Sequence, residues 1–257
     1  MNALAPATQG RRFTPIKTLL IASLLACTSL RAEDVRLATS LSIAPYINSE
    51  TQAGPQLSIV RDAFALVGHN VTGVLFTSNE RAIKLLRTGA VDAVVNIPEG
   101  LGDIHYSTPV LHYQNYAISL SERQLKIEKV SDLKPYSIVA FQRASQFLGE
   151  EFGEIAASNE QYLEAANQLS QVGMLFKQRT DVIVIDHRIF NYIRSTHFTR
   201  EMVNQAVSFH PIFPSSPRST GFTSAVLRDD FDRGLQQLKE TGVYATYLEQ
   251  LDNDSAP

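Results

Sequence analysis

Short apolar runs separated by amphipathic stretches, in two successive series, constrain this chain more than any other feature. Val35-Arg36-Leu37-Ala38-Thr39 reads as a strand whose segment ends in Ala44-Pro45-Tyr46. Apolar residues then recur at Leu57, Val60, Ala63, Phe64 and Val67, the spacing of one helix face, which predicts a helix over Gln56 to Val67. Val71 to Phe76 is a strand with β-branched residues. Asn79 to Arg87 is a helix with Gly89 at its C-terminal end, and Val91 to Val95 is a short buried strand. This β-α-β-α-β order calls for a mainly parallel sheet covered by helices. In the second series Tyr116 to Leu120 and Tyr136 to Phe141 are strands, and a helix starts at Ser145, a plausible N-cap, and runs to Phe152. Gln161 to Lys177 is expected to be helical, Val182 to Ile185 a buried strand, and His187 to Ser195 a helix. A loop carrying Pro211, Pro214 and Pro217 follows, then an expected strand from Thr223 to Leu227 and a closing helix from Phe231 to Leu251, interrupted at Gly242. Both halves share a plan: a helix, then Asp92 or Asp181, then a short apolar strand. Two similar α/β lobes joined by extended segments imply a cleft between them, with hinge closure as the expected motion.

The 257 residues suffice for two such lobes, each with its own core. A formal charge of −3 with no Lys/Arg block argues against nucleic-acid binding. The N-terminus differs from the rest. Arg11, Arg12 and Lys17 precede an apolar run from Leu19 to Cys27, followed by Ser29-Leu30-Arg31-Ala32 and the acids Glu33 and Asp34. This is the order of a secretory signal, and the apolar run falls short of the roughly 20 residues a membrane-spanning helix needs. Residues 1–32 are therefore expected to be a signal peptide cleaved after Ala32. The competing reading is a lipoprotein-like Leu24-Leu25-Ala26-Cys27 that would anchor Cys27. Loss of residues 1–32 removes Arg11, Arg12, Lys17, Arg31 and no acid, moving the formal charge from −3 to −7. It also removes the only cysteine, so the remainder has no disulfide or thiol chemistry. The six histidines show no ligand spacing, and no nucleophile elbow, P-loop or dinucleotide fingerprint is present, so neither metal nor cofactor is expected.

Six segments occur in an order that resembles a known family. They are Pro45-Tyr46, Leu86-Arg87-Thr88-Gly89-Ala90-Val91-Asp92-Ala93, Tyr106-Ser107-Thr108-Pro109, Ser131-Asp132-Leu133, Asp181-Val182-Ile183-Val184-Ile185-Asp186 and Gly242-Val243-Tyr244. Together they resemble the amino-acid-type bacterial periplasmic solute-binding proteins, family 3, over Val35 to Leu251. The resemblance implies an α/β, two-lobed type II periplasmic-binding-protein architecture, each lobe a mainly parallel sheet flanked by helices, joined by two crossover segments. It places the crossings near Leu111 to Asn115 and Pro217 to Gly221. The solute-binding domain would span 33–251, with lobe one about 33–111 and 222–251, lobe two about 116–216, and a tail at 252–257.

The resemblance also implies site residues. Asp186 matches an ammonium-binding aspartate; an N-cap of the following helix is the alternative. Ser145 and Gln146 match a helix start in lobe two that receives a carboxylate, with plain capping as the alternative. Tyr46 matches an aromatic wall, and Asn79 and Asn96 match cleft-lining positions that could donate and accept. The family's carboxylate-clamping arginine is missing from the segment Asn96-Ile97-Pro98-Glu99-Gly100-Leu101-Gly102-Asp103. Arg143, just before Ser145, is the candidate replacement, against a reading as a solvated surface arginine.

The function so implied is capture of a small polar solute (an amino acid, an amine or a related compound) in the inter-lobe cleft, for transport or sensing. The chain would act as a periplasmic monomer without catalysis, serving an inner-membrane ABC permease or a sensor. Two alternatives exist: a ligand-sensing partner of a membrane signalling receptor, and a periplasmic dehydratase-like enzyme, for which Glu99 is the candidate general acid.

Overall fold

A computed structural model of the chain describes residue 1 and residues 33–39, 43–97 and 100–254. The expected signal segment with its alternatives at Ala32 and Cys27, and the general-acid candidate Glu99, lie outside these residues. Among the described residues no helix is long and apolar enough to cross a membrane.

The first half of the chain forms β1 (Asp34–Thr39), α1 (Pro55–Leu66), β2 (Asn70–Phe76), α2 (Asn79–Arg87), β3 (Ala93–Val95) and β4 (His105–Tyr106). After β5 (Leu111–Tyr113) come β6 (Asn115–Leu120), β7 (Ile138–Phe141), α3 (Ala144–Phe147), α4 (Glu150–Ser158), β8 (Tyr162–Ala165) and α5 (Gln168–Phe176). Then follow β9 (Val182–Asp186), α6 (His187–His197), α7 (Arg200–Val203) and β10 (Val207–His210). The chain returns through β11 (Ser216–Arg218) and β12 (Thr220–Phe222) to α8 (Ala225–Glu240) and α9 (Val243–Asp254).

Two five-stranded sheets result, ordered β2-β1-β3-β12-β4 and β10-β6-β9-β7-β8. In each, three neighbouring strands are parallel, β2-β1-β3 in one and β8-β7-β9 in the other, and two further strands, each antiparallel to the one before it, complete the sheet. All of β3 and all of β9 are buried, which is why both read as unbroken apolar runs rather than alternating ones. The crossovers β5 and β11 pair antiparallel, with Tyr113 opposite Ser216 and Leu111 opposite Arg218.

The aspartates that mark the repeated plan do matching jobs. Asp92 accepts from the backbone N and the guanidinium of Arg36 in β1. Asp181 accepts from the backbone N and hydroxyl of Ser137, just ahead of β7, and pairs with Arg123. Each carboxylate thus ties the approach to one sheet strand onto the start of its parallel neighbour. Burial pushes the Asp92 carboxyl up, but the Arg36 bonds outweigh it and hold the group below its ordinary range.

Three expected elements differ. The helix expected over Gln161 to Lys177 begins instead with β8, which pairs parallel with β7, and only then becomes α5, capped by Asn167 accepting from Ser170 N. The strand expected at Thr223 to Leu227 lies earlier, as β12, because Ser224 caps α8 by accepting from Leu227 N. Ser145 is not an N-cap: α3 is preceded by Arg143 in the left-handed region, at φ 66°, and Ser145 lies within the helix. The expected interruption at Gly242 is present, at φ 81° between α8 and α9.

In lobe one, Phe64 of α1 packs on Phe231 of α8 with ring centroids 4.9 Å apart. That contact depends on Gly234, because a Cβ there would stand 1.9 Å from the Ala63 carbonyl oxygen. The clash is with backbone, so no side chain can relieve it. Gly234→Ala should destabilise the protein by about 1–3 kcal/mol, the usual range for overpacking, read as a lower urea midpoint at unchanged slope. An unchanged midpoint would show that the two helices are not held this closely.

Candidate functional site

The loop after β1, the exit of β5 and the C-terminal end of β9 meet at one buried carboxylate. Asp186 Oδ1 accepts from the Tyr46 hydroxyl at 2.9 Å and from the backbone N of Arg188 and Ile189, so it does cap α6. Its Oδ2 accepts from Gln114 N at 2.8 Å. Asp186 and Tyr46 are both buried. The Tyr46 ring stacks on Tyr113 with centroids 4.2 Å apart, and the Tyr113 hydroxyl donates to Gln56 Oε1. Asn96, in the left-handed region, reaches the Tyr113 hydroxyl at 3.5 Å. Burial, reinforced by the Asp186 charge, pushes the Tyr46 phenol well above its ordinary range, so it remains a donor. Arg188 extends the contact outward by pairing with Asp252 of α9.

A second cluster surrounds Glu164, a residue that sequence reasoning did not single out. Its Oε1 accepts from Ser145 N at 3.0 Å, the Ser145 hydroxyl at 2.7 Å and the Tyr162 hydroxyl at 2.9 Å; its Oε2 accepts from Arg143 N at 2.5 Å. The start of α3, expected to receive a ligand carboxylate, holds a carboxylate of the chain itself. The Arg143 guanidinium turns away to Gln146 Oε1 and lies over the Phe147 ring. Arg143, Ser145 and Gln146 are therefore brought together, but around Glu164. Asn79 is exposed in the first turn of α2, behind the capping Ser78.

Beyond these clusters lies a cavity of about 460 Å³. Ile43 and Ala44, from the loop after β1, form one side. The other side comes from lobe two: Phe141 and Gln142 after β7, Ala165 to Leu169 between β8 and α5, and Ile189, Tyr192, Ile193 and His197 on α6. It thus sits at the C-terminal ends of parallel strands, where open α/β sheets bind ligands. No Asp, Glu, Lys or Arg is among these lining residues. The polar groups on offer are the carboxamides of Gln142, Asn167 and Gln168, the Tyr192 phenol, the His197 ring and the first turn of α5, whose leading N–H groups have no partner within the helix. The chemistry is that of hydrogen bonding to a small, partly apolar solute. None of these five residues was singled out from the sequence; the one available signal was a carboxamide directly after a predicted strand at Gln142.

Two five-stranded sheets joined by the crossover strands β5 and β11 make a two-lobed architecture, that of the type II periplasmic-binding-protein fold. No protein-family model matches the chain, and no curated protein matches it. Solved structures do. The ligand-binding core of GluR0 in complex with L-glutamate aligns with 86% of this chain and 99% of its own, at 13% identity and a TM-score of 0.69. A histidine kinase sensor domain with similarity to periplasmic binding proteins aligns with 86% and 96%, at 16% identity and a TM-score of 0.66. An amino acid ABC transporter substrate-binding protein from Streptococcus pneumoniae, bound to L-arginine, aligns with 87% and 96%, at 12% identity and a TM-score of 0.64. At such identities the likeness is one of fold.

Burial pushes the Glu164 carboxyl up, but the bonds from Ser145, Tyr162 and Arg143 outweigh it and leave the group below its ordinary range. A depressed folded value means stabilisation that is present above the unfolded value, about 4.3, and lost as pH falls through the folded one. The wild-type melting temperature should therefore fall between about pH 5 and pH 3 more steeply than that of Glu164→Gln, which starts lower at pH 7. Parallel curves would show that Glu164 is not held this way.

Proposed function

We propose that this chain is a solute-binding protein whose two lobes close over a small polar solute, for transport or for sensing. The observation that carries this reading is the cavity at the strand ends of lobe two, bounded on its other side by Ile43 and Ala44 of lobe one. The neighbouring folds support it, since the solved relatives include a protein bound to arginine, a core bound to glutamate and a sensor domain. Gln142, Asn167 and Tyr192 are the proposed contacts. An uncharged lining suits an uncharged or zwitterionic solute that meets carboxamides and a phenol, and burying an unpaired ion there would be costly.

Asp186 and Tyr46 remain part of the proposal. Of the four bonds to the Asp186 carboxylate, only the one from Tyr46 comes from the lobe-one side, so opening the cleft would free one lone pair for a ligand amine. Asn96 would line that approach. The Arg143, Ser145 and Gln146 group would bind an anion only by displacing Glu164, and Asn79 is retained as an outer contact. Lobe one is taken as about 33–111 and 222–251, lobe two as about 116–216. Export through a signal at residues 1–32, a periplasmic monomer, and an ABC permease or a membrane sensor as partner complete the reading. Binding without turnover is the expected behaviour; the dehydratase alternative rests on Glu99.

Thermal unfolding of the full chain against amino acids, amines, small polyols and small carboxylates tests this. A true ligand at about a hundredfold excess over its Kd should stabilise the protein by about 3 kcal/mol. Gln142→Ala and Tyr192→Phe should each weaken that ligand about tenfold, the usual effect of one lost hydrogen bond. Equal affinity in both variants would exclude the cavity as the site.

A further inference from the structure

Among the described residues, five buried side-chain atoms have no hydrogen-bond partner, and four of them gather at the base of the two crossover strands. They are Gln56 Nε2, Asn96 Oδ1, Arg218 Nε and Thr220 Oγ1. The topology explains the gathering. Arg218 lies opposite Leu111 in the β5–β11 pair, and Thr220 lies opposite Val95, next to Asn96. Gln56 and Asn96 both reach the Tyr113 hydroxyl, and the Arg218 guanidinium stands over the Tyr113 ring, 4.5 Å from its centroid. Gln56 and Thr220 are fully buried. Buried polar atoms are almost always satisfied, so a concentration of unsatisfied ones, three of them donors, calls for a partner from outside the chain's own side chains.

The chemistry of that partner follows from the set. Arg218 is permanently charged, and among the described residues it makes no ion pair. Stacking on Tyr113 positions the guanidinium without neutralising it. The carboxamide of Gln56 and the hydroxyl of Thr220 add two uncharged donors. Asp186, also near Tyr113, already accepts four hydrogen bonds. One unpaired cation with neutral donors around it matches a single negative charge spread over two oxygens, and a guanidinium edge fits a carboxylate. A dianion would bring a second negative charge into a buried place beside Asp186.

We propose that Arg218, Gln56 and Thr220, with Asn96 beside them, bind a small monocarboxylate at the root of the crossover strands. The lining of the solute cavity contains none of these four residues; Asn96 is shared with the proposed approach to Asp186, while Arg218, Gln56 and Thr220 have no part in the solute-binding reading.

Formate and acetate are the probes, titrated into the full chain against sodium chloride at equal ionic strength, with thermal unfolding and calorimetry as readouts. A saturable stabilisation by carboxylate and not by chloride is expected. Arg218→Lys, which keeps the charge but loses the fork, should weaken it about tenfold or more. Arg218→Gln should abolish it, and Gln142→Ala in the solute cavity should leave it intact. The proposal is overturned by no saturable response, by an equal response to chloride, or by an undiminished response in Arg218→Lys. A response lost in Gln142→Ala but kept in Arg218→Lys would assign the carboxylate to the cavity and overturn it equally.

Discussion

The Asp186 carboxylate is the constraint around which the cleft is arranged. A buried anion is tolerable only when its lone pairs are filled, and here four donors from three chain segments fill them. Tyr46 follows the first strand of lobe one, Gln114 lies between β5 and β6, and Arg188 and Ile189 begin α6. Removing any one segment would leave a buried charge short of a partner. The stacked Tyr46–Tyr113 pair, the hydrogen bond from Tyr113 to Gln56 and the Arg188–Asp252 ion pair all build outward from this point.

Much of this was legible in the residues. Apolar runs buried on both faces, such as Val182 to Ile185, are hard to mistake, and the aspartates before β3 and β9 could be read as equivalent because they do equivalent work. The capping role of Asp186 was one of two readings the sequence left open. Long-range pairing was not legible. Tyr162, Ala165, Ala166 and Leu169 have helical spacing, yet hydrogen bonding to β7 makes the first part of that segment a strand. Glu164 is consequential only because β8 lies beside β7 and its carboxylate reaches the start of α3, a relation no local pattern encodes. Gln142, Asn167 and Tyr192 were overlooked for the same reason: each is ordinary in its own segment, and only the sheet order gathers them.

The cleft therefore contains polar groups in three different states. Asp186 is saturated by donors from both lobes. The Arg143–Ser145 turn is saturated by a neighbour on the adjacent strand. The carboxamides around the cavity have no charged residue beside them in its lining. The helix start to which the resemblance assigns a ligand carboxylate already holds Glu164, while the aspartate it assigns to a ligand amine is present with four donors of the chain itself.

The Glu164 tether has a consequence for what else can occupy the start of α3. An occupant that belongs to the same polypeptide competes at an effective concentration at least of millimolar order, and its ordering cost is met when the chain folds. A free anion at micromolar level would have to displace a carboxylate already held by four hydrogen bonds. The donors of the Arg143–Ser145 turn are thus closed to a free anion at that level for as long as Glu164 holds them.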